Sequence, residues 1–434
     1  MARYMKTYNA VLQLIKEYVP KNSFTLKLRI LLFKIKTFIK QLGFFNNARL
    51  KPVNVFEYES IVDTHLSPMA LNYYSYGAGD EVTLRDNRAA FERCKIRPRI
   101  LVNVSDRNLT TEVLGQPLQM PILIAPMAFQ CLAHSDGEVA TARAASKAGI
   151  GMVLSTMASK NIEDVAAASH HQNTAPQWFQ LYIHRDRGLS HALVERAYAA
   201  GYKALCLTVD APVSGQRQRN KHIQFALPPG IGLANLATLS DLGIPHEAGE
   251  SGVFSYFTQQ INWALTWKDV EWVQSLCPLP LVIKGILRGD DAARAVECGA
   301  SAVVVSNHGG RQLDGAIASL DALAEVVEAV DGRAEVNLDG GIRRGVDILK
   351  ALALGAKAVL LGRPVLWGLA VGGEAGVSHV IELLRNELDI AMALSGCAKL
   401  QDIDSSLVCK EKGLEEFMLT KKMGLKPRRS RSVL

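Results

Sequence analysis

The chain has 434 residues, 48% of them hydrophobic and 21% charged, which is the composition of an ordinary globular protein. Its net charge of +7 comes from residues 1–50, which carry ten Lys or Arg and one acid, whereas residues 51–434 sum to −2. The main part of the chain therefore has no basic excess of the kind that nucleic-acid-binding proteins show. No run of eighteen apolar residues predicts a helix that crosses a membrane.

The two ends of the chain are predicted to be appendages. Residues 1–50 form a basic N-terminal extension in which the apolar stretch 24–45 is repeatedly interrupted by Lys. Peripheral contact with an anionic membrane is one interpretation, and a leader or a subunit-packing arm is the other. Residues 409–434 form a basic C-terminal tail whose final SVL only weakly resembles a peroxisomal address. We therefore expect a cytoplasmic protein.

Eight short apolar runs follow one another along the main part of the chain, and each is nearly continuous in apolar residues. Strands that are buried on both faces of a parallel sheet have this pattern. The runs are PILIAPM (121–127), GMVLST (151–156), WFQLYI (178–183), ALCLTV (204–209), LVIKG (281–285), AVVVSN (302–307), EVNLDG (335–340) and AVLLGR (358–363).

Helical stretches alternate with these runs, and several end in a glycine just before the next strand, as in SKAGIG and LALGAKA. Eight strand–helix units predict an α/β fold, a (β/α)8 TIM barrel within a domain of residues 51–408, with an N-terminal helical segment. The fourth and fifth strands begin 77 residues apart, which indicates a long loop after the fourth strand, an insertion at about 210–266. Such a loop is typical of a lid. An open doubly wound sheet is the less favoured alternative, because no GxGxxG follows the first strand.

Polar and ionisable residues stand at the ends of these otherwise apolar strands. Barrel enzymes carry their chemistry at this carboxyl end, so we expect the side chains to share one site. They are Met127, Ser155, Gln180, Tyr182, Thr208, Asp210, Lys284, Ser306, His308, Asp339, Gly362 and Arg363. The segments LDGGIRRG (338–345) and LGRP (361–364) add glycines and arginines after the last two strands, which is the usual phosphate site of such barrels.

One stretch carries the chemistry of proton transfer. SNHGGRQLDG (306–315) places His308 and Arg311 after the sixth strand. Asp210 follows the fourth strand, and Lys284 lies at the end of the fifth. An imidazole can accept a proton near neutral pH, and a carboxylate beside it stabilises the imidazolium. Arginine presents a planar fork to a substrate carboxylate, and a lysine stabilises developing negative charge. This set favours oxidation of an alcohol that stands beside a carboxylate.

The motifs SNHGGRQLD, LDGGIRRG, QLYIHRDR, LTVDAP and IAPMA together resemble the FMN-dependent 2-hydroxy-acid oxidising family, which includes glycolate and lactate oxidases and the flavin domain of flavocytochrome b2. The resemblance covers about residues 52–402 and includes the segment 70–91 before the barrel. It implies that Tyr73 and Arg311 hold the substrate carboxylate, with Arg217 as a second cationic group. It further implies that Tyr182 binds the substrate hydroxyl and that His308 is the base, with Asp210 as its partner.

The resemblance also implies the cofactor FMN, O2 as electron acceptor with H2O2 as product, and a homotetramer. The residues expected to contact FMN are Ala125, Pro126, Met127, Ala128, Ser155, Gln180, Thr208, Lys284, Ser306, Asp339, Gly340, Gly341, Arg343, Gly362 and Arg363.

The sequence departs from the glycolate-oxidising members at two positions. Those members usually have a tryptophan where this chain has Met157 and a threonine where it has Met127. Because methionine is flexible, we expect the substrate site at Met157 to accept a larger side chain and L-lactate to be preferred over glycolate. A membrane-associated dehydrogenase that reduces quinone or cytochrome remains an alternative, as does a non-catalytic flavin-binding protein. No metal is expected, because the sequence contains neither HxH nor HExxH.

Overall fold

The computed structural model describes residues 51–169, 175–218, 225, 227–237 and 259–410. The described residues from Asn54 onward belong to one compact unit. Residues 1–50 and 411–434 lie outside the described residues, so the predicted membrane contact and the predicted basic tail are not addressed by the structure. Among the described residues, no helix combines the length and the hydropathy needed to cross a bilayer.

Three helices and a small hairpin precede the barrel. The first helix is capped by Asn54, whose side chain accepts a hydrogen bond from the backbone N–H of Glu57. The second is capped by Ser67 and has proline as its first residue, a favourable start for a helix. The elements are α1 (Val55–Ile61), α2 (Pro68–Ser75), α3 (Val82–Arg93), β1 (Cys94–Ile96), β2 (Thr111–Val113) and β3 (Gln116–Leu118).

Eight parallel strands close into a barrel, as the sequence predicts. Each strand pairs with the next one in the chain, and the last pairs with the first, so the open doubly wound sheet is excluded. The strands are β4 (Ile122–Ile124), β5 (Gly151–Leu154), β6 (Gln177–Leu181), β7 (Ala204–Thr208), β8 (Leu281–Ile286), β9 (Ala302–Val305), β10 (Glu335–Asp339) and β11 (Ala358–Leu361).

The helices also agree with the predicted alternation. The glycines that follow four of them, Gly149, Gly201, Gly299 and Gly355, have φ between 66° and 100°, so the repeated joint is the left-handed turn expected from the sequence. The helices are α4 (Gly137–Ala148), α5 (Ile162–Ser169), α6 (Arg187–Ala199), α7 (Ala234–Ala237), α8 (Trp267–Leu276), α9 (Gly289–Glu297), α10 (Ser319–Val330), α11 (Gly345–Ala353) and α12 (Arg363–Ser395). A short strand, β12 (Val408–Lys410), then pairs antiparallel with β1.

The strands bury both faces in two separate apolar cores. Alternate residues such as Leu123, Val153 and Val304 fill the barrel interior, and their neighbours pack outward against the helices. The hairpin of β2 and β3 adds Val113 and Leu118 to the interior core, so it covers the amino end of the barrel. The opposite, carboxyl end is left for the site.

Most strands end one to three residues earlier than the predicted runs. The run 302–307, for example, leaves the sheet after Val305, and its last two residues belong to the loop. Part of the predicted insertion lies at the carboxyl end of the barrel. The end of the insertion, from residue 259 onward, pairs with the loop after β6. The backbone N–H of Arg185 donates to the carbonyl of Gln260 over 2.7 Å, and His184 forms an isolated antiparallel β-bridge with Ile261.

Candidate active site

One cavity at the carboxyl end of the barrel brings the predicted site residues together. All of them line it except Asp210 and Ser306, which lie directly behind residues that do. The lining includes Met157 and the backbone segment 125–128, and it extends to the loops after β10 and β11. The parallel barrel accounts for this arrangement, because it delivers the end of every strand to the same edge.

His308 and Asp210 form the ionic pair of the site. Nδ1 of His308 lies 2.8 Å from Oδ1 of Asp210, and the two side chains retain 25% and 11% of their exposure. Burial alone would raise the pKa of Asp210, but the charges of His308 and Lys284 hold it below its ordinary value. Asp210 therefore remains a carboxylate at neutral pH. It fixes the proton of His308 on Nδ1, which leaves Nε2 as the ring nitrogen that can accept a proton.

Two guanidinium groups lie over the ring of Tyr73. The Cζ atom of Arg311 is 5.0 Å from the ring centroid, and that of Arg217 is 5.5 Å away. Arg311 is fixed further by a 2.6 Å hydrogen bond to the carbonyl of Tyr73. Burial, and then the repulsion of Arg311, lowers the pKa of Arg217 to about 10. An anionic ligand between these two cations would relieve that repulsion, so the group is suited to a carboxylate.

Tyr73 lies on α2, before the barrel, and still lines the site. The loop after β9 fixes its position by binding the chain segment that follows α2. The carboxylate of Asp314 accepts hydrogen bonds from the backbone N–H groups of Asp80 and Thr83, over 2.8 and 2.9 Å. The carbonyl of Gly310 accepts another from Ala78, over 2.8 Å. Strand spacing does not predict this placement, and only the family resemblance assigns Tyr73 to the site.

Lys284 is a buried cation at the floor of the cavity. Its Nζ donates to Oγ of Ser306 over 2.9 Å and lies 3.3 Å from Oδ2 of Asp339. Burial would lower the pKa of Lys284, but the carboxylates of Asp339 and Asp210 raise it overall. Ser306 also accepts a hydrogen bond from the backbone N–H of His308 over 3.0 Å. It therefore connects Lys284 to His308 from behind and does not line the cavity.

The buried polar atoms of the cavity wall that have no hydrogen-bond partner among the described residues include Nε2 of Gln180, a donor, and Oδ1 of Asp339, an acceptor. The carboxamide oxygen of Gln180 is already used by the N–H of Thr156 over 3.1 Å. Leaving such atoms unpaired costs roughly 1–3 kcal/mol each, so a polar ligand that pairs with both fits this wall.

The far end of the cavity is strongly cationic. Arg343 is buried and Arg363 is partly buried, and desolvation lowers the pKa of each. Nε of Arg363 donates to the carbonyl of Tyr74 over 2.9 Å, and Nε of Arg343 lies 3.4 Å from the carboxylate of Glu59. The helix α12 begins at Arg363 without a side-chain cap. A helix amino end beside two arginines is suited to a phosphate.

Sequence reasoning missed several residues that line the cavity. Ile261 and Trp263 come from the end of the insertion, and Val213 and Ser214 come from its start. The length of the insertion indicated that it lies at the site, but no pattern within it shows which residues face the cavity. Gln312 also lines the cavity, and it stands next to Arg311 in the motif SNHGGRQLDG.

A profile of the FMN-dependent dehydrogenase family matches residues 62–410. The chain belongs to this family. The resemblance stated from the sequence motifs is therefore confirmed, and the cofactor of an FMN-dependent dehydrogenase is FMN. The match covers α2, α3 and the whole barrel, and it begins directly after α1.

Relatives of this FMN-dependent dehydrogenase are named as oxidases. The chain is 71% identical to L-lactate oxidase of Nostoc sp., covering 82% of this chain and 98% of that protein. It is 49% identical to glycolate oxidase 1 of Zea mays, covering 81% and 94%, and 48% identical to 2-hydroxyacid oxidase 1 of Homo sapiens, covering 82% and 95%. The solved structure of mandelate oxidase with (S)-4-hydroxymandelic acid matches with a TM-score of 0.76 at 41% identity, covering 81% and 97%.

The residues of the cavity fit FMN. The free donor of Gln180 suits the polar edge of a flavin ring, and the free acceptor of Asp339 suits a ribityl hydroxyl. Lys284 supplies a positive charge that would stabilise a reduced, anionic ring. Arg343, Arg363 and the amino end of α12 provide charged and backbone donors for the phosphate.

Proposed function

We propose that this FMN-dependent dehydrogenase oxidises a small L-2-hydroxy acid, with L-lactate preferred over glycolate, to the 2-keto acid, and that O2 is reduced to H2O2. The observation that carries the proposal is the His308–Asp210 pair, which shares one cavity with the guanidinium groups of Arg311 and Arg217. The 71% identity to an L-lactate oxidase supports the choice of substrate.

Each side chain interacts with a different group of the substrate. Tyr73 and Arg311 bind its carboxylate, and Arg217 is a second cationic group beside it, with both guanidinium groups within 5.5 Å of the ring centroid of Tyr73. Burial and the charge of Asp210 raise the pKa of Tyr182, so its phenol stays protonated and donates to the substrate oxygen. Nε2 of His308 accepts the proton that leaves the substrate, and Asp210 stabilises the resulting imidazolium. FMN, when bound, supplies the acceptor for the two electrons.

Two methionines support the preference for L-lactate. Met157 and Met127 line the cavity and are nearly buried, with exposed fractions of 7% and 9%. A thioether side chain adjusts to a methyl group more easily than a rigid aromatic ring does. The test is steady-state kinetics with L-lactate, D-lactate and glycolate on the FMN-loaded protein. A kcat/KM that is clearly higher for glycolate would reject the preference.

The same assay separates catalysis from mere flavin binding. Anaerobic mixing with L-lactate should bleach the flavin absorbance of the wild-type protein. His308→Ala should retain FMN and bleach at least about 100-fold more slowly, because it lacks the proton acceptor. Equal bleaching rates would remove His308 from the role of base.

The electron acceptor is tested by product stoichiometry. An oxidase releases close to one H2O2 for each 2-keto acid formed when air is the only acceptor. A dehydrogenase that transfers electrons to quinone or cytochrome would form little peroxide and would turn over only when such an acceptor is added. The oxidase names of the relatives at 48–71% identity favour the first outcome.

We further propose a homotetramer with a cytoplasmic location, in which residues 1–50 provide any peripheral membrane contact. Their balance of ten basic residues to one acid suits an anionic surface. Light scattering of the purified holoenzyme tests the assembly. Sedimentation with anionic and neutral vesicles, for the full chain and for a chain that begins at residue 51, tests the membrane contact.

A further inference from the structure

The segment after β7 carries two groups of the site but has little regular structure of its own. It begins with Asp210 and includes Arg217, and residues 211–217 contain no helix or strand. A catalytic carboxylate on such a segment needs something else to fix it, because an irregular chain has many conformations of similar energy. The attachment comes from the neighbouring loop after β9.

The carboxamide of Gln312 holds this segment at three points. Nε2 of Gln312 donates to the carbonyl of Asp210 over 2.9 Å and to the carbonyl of Val213 over 2.9 Å. The backbone N–H of Gly215 donates to Oε1 of Gln312 over 3.0 Å. Both donor hydrogens and the acceptor of one side chain are thus used on the same loop, an arrangement that neither a carboxylate nor an aliphatic side chain can reproduce.

The two backbones also lie in direct contact. A Cβ atom built on Gly215 would lie 2.2 Å from the carbonyl oxygen of Arg311 and 2.7 Å from Cα of Gln312. No side chain fits between the two loops at this point, so the amide of Gln312 meets the segment at a fixed distance. The loop that presents His308 and Arg311 is therefore joined to the segment that presents Asp210 and Arg217.

We propose that Gln312 is a positioning residue that sets the distance between Asp210 and His308 and places Arg217 over Tyr73. It acts through Asp210 and needs no contact with the substrate. The inference rests on the proposed function, in which His308 is the base. The 2.8 Å contact between Nδ1 of His308 and Oδ1 of Asp210 depends on where the backbone of Asp210 lies, and Gln312 bonds that backbone directly.

The test uses Gln312→Met in the full-length holoenzyme, because methionine keeps the length of the side chain and removes all three hydrogen bonds. We expect flavin reduction by L-lactate under anaerobic conditions to slow by about 10- to 100-fold, the loss that follows from misplacing a catalytic group by about 1 Å. The deuterium isotope effect on kcat with 2-deuterated lactate should rise, because C–H cleavage becomes slower than the other steps. KM should rise with the displacement of Arg217, and the Kd for FMN should change by less than about twofold, since Lys284 and Arg343 are untouched.

Gln312→Glu and Gln116→Met complete the design. Glutamate accepts from Gly215 but cannot donate to the two carbonyls, so we expect it to be at least as impaired as methionine. Gln116 is equally half-buried in the hairpin at the amino end of the barrel, and its substitution should leave the isotope effect unchanged. Gln312→Asn keeps the amide on a side chain that is one methylene shorter. It should change the rate and the isotope effect in the same direction by a smaller amount, and it replaces the other variants if they fold poorly.

Three outcomes would overturn the inference. They are an unchanged isotope effect in a folded Gln312 variant, full activity of Gln312→Glu, or a loss of FMN binding equal to the loss of rate. Failure of the proposed function is a different result, because the wild-type protein itself would then not be bleached by any 2-hydroxy acid.

Discussion

Asp210 packs against Gly285 so closely that a side chain at the glycine would displace it. A Cβ atom built on Gly285 would lie 2.5 Å from Cβ and 2.9 Å from N of Asp210. Gly285 has a φ of +114° and stands at an irregularity in the pairing of β8 with β9, directly after Lys284. The bulge therefore serves two purposes, since it turns Lys284 into the cavity and leaves room for the partner of His308.

Gly285→Ala should slow flavin reduction by L-lactate by about tenfold or more, because Asp210 must move away from His308. The matched control is Gly332→Ala, which also places alanine at a positive φ (+68°) but has no atom within 4 Å of the new Cβ. Stopped-flow absorbance under anaerobic conditions measures both. If the two variants lose the same activity, backbone strain and not displacement of Asp210 is responsible.

Asp210→Asn keeps the shape of the carboxylate and removes its charge. We expect the rate of flavin reduction to fall by about 100-fold or more, because the imidazolium that forms on His308 loses its stabilising partner. FMN absorbance and the thermal unfolding temperature at neutral pH establish that the variant is folded and loaded. A rate within about threefold of wild type would show that His308 acts without Asp210.

The same substitution has a signature in the pH dependence of stability. The folded pKa of Asp210 is lowered, so its ionisation stabilises the fold above the unfolded pKa of about 4 and this contribution is lost as pH falls through the lowered value. The difference in unfolding temperature between wild type and Asp210→Asn should therefore be larger near pH 6 than near pH 3.5. Calorimetry at several pH values checks this, and a difference that grows toward acid would contradict the lowered pKa.

Glu59 is the carboxylate that faces the cationic end of the cavity. It forms ion pairs with Arg88 and with the buried Arg343, and its pKa is lowered by both although burial opposes this. In Glu59→Gln, the positive charges of Arg88 and Arg343 have lost this carboxylate, and the phosphate of FMN would compensate them when it binds. We expect the variant to destabilise the FMN-free protein more than the FMN-loaded protein, so that FMN raises its unfolding temperature by more than it raises that of wild type.

Thermal unfolding with and without FMN measures this difference. Glu57→Gln is the control, because Glu57 lies on the same helix and its carboxylate accepts a hydrogen bond from Nδ2 of Asn54. An equal gain from FMN in Glu59→Gln and in wild type would mean that Glu59 does not balance the charge of the phosphate end.

Much of the fold and the site could be predicted because both follow from local patterns. The run AVVVS is buried on both faces, so it must be a barrel strand, and His308 must then lie at the carboxyl edge, three residues after β9 ends. The same reasoning places Lys284 and Arg363 in the cavity without knowledge of any contact between them.

What could not be predicted depends on distances between remote segments. No local pattern shows that Asp314 anchors the segment after Tyr73, or that Ser306 lies behind Lys284 and not on the cavity wall. The cost of a side chain at Gly285 depends on Asp210, which is 75 positions away in the sequence. These contacts arise only when the barrel closes, because each joins residues of different structural elements.

Met157→Trp tests the origin of the substrate preference. Met157 is 7% exposed on the cavity wall, and a rigid indole there would reduce the space beside the substrate carbon that carries the side chain. The extra methyl of lactate should then be penalised relative to glycolate, by roughly 10-fold or more in the ratio of the two kcat/KM values, the usual scale for one misplaced methyl group. Met157→Leu conserves volume and should keep the wild-type ratio. If Met157→Trp lowers both kcat/KM values equally, Met157 supports the cavity but does not discriminate between the substrates.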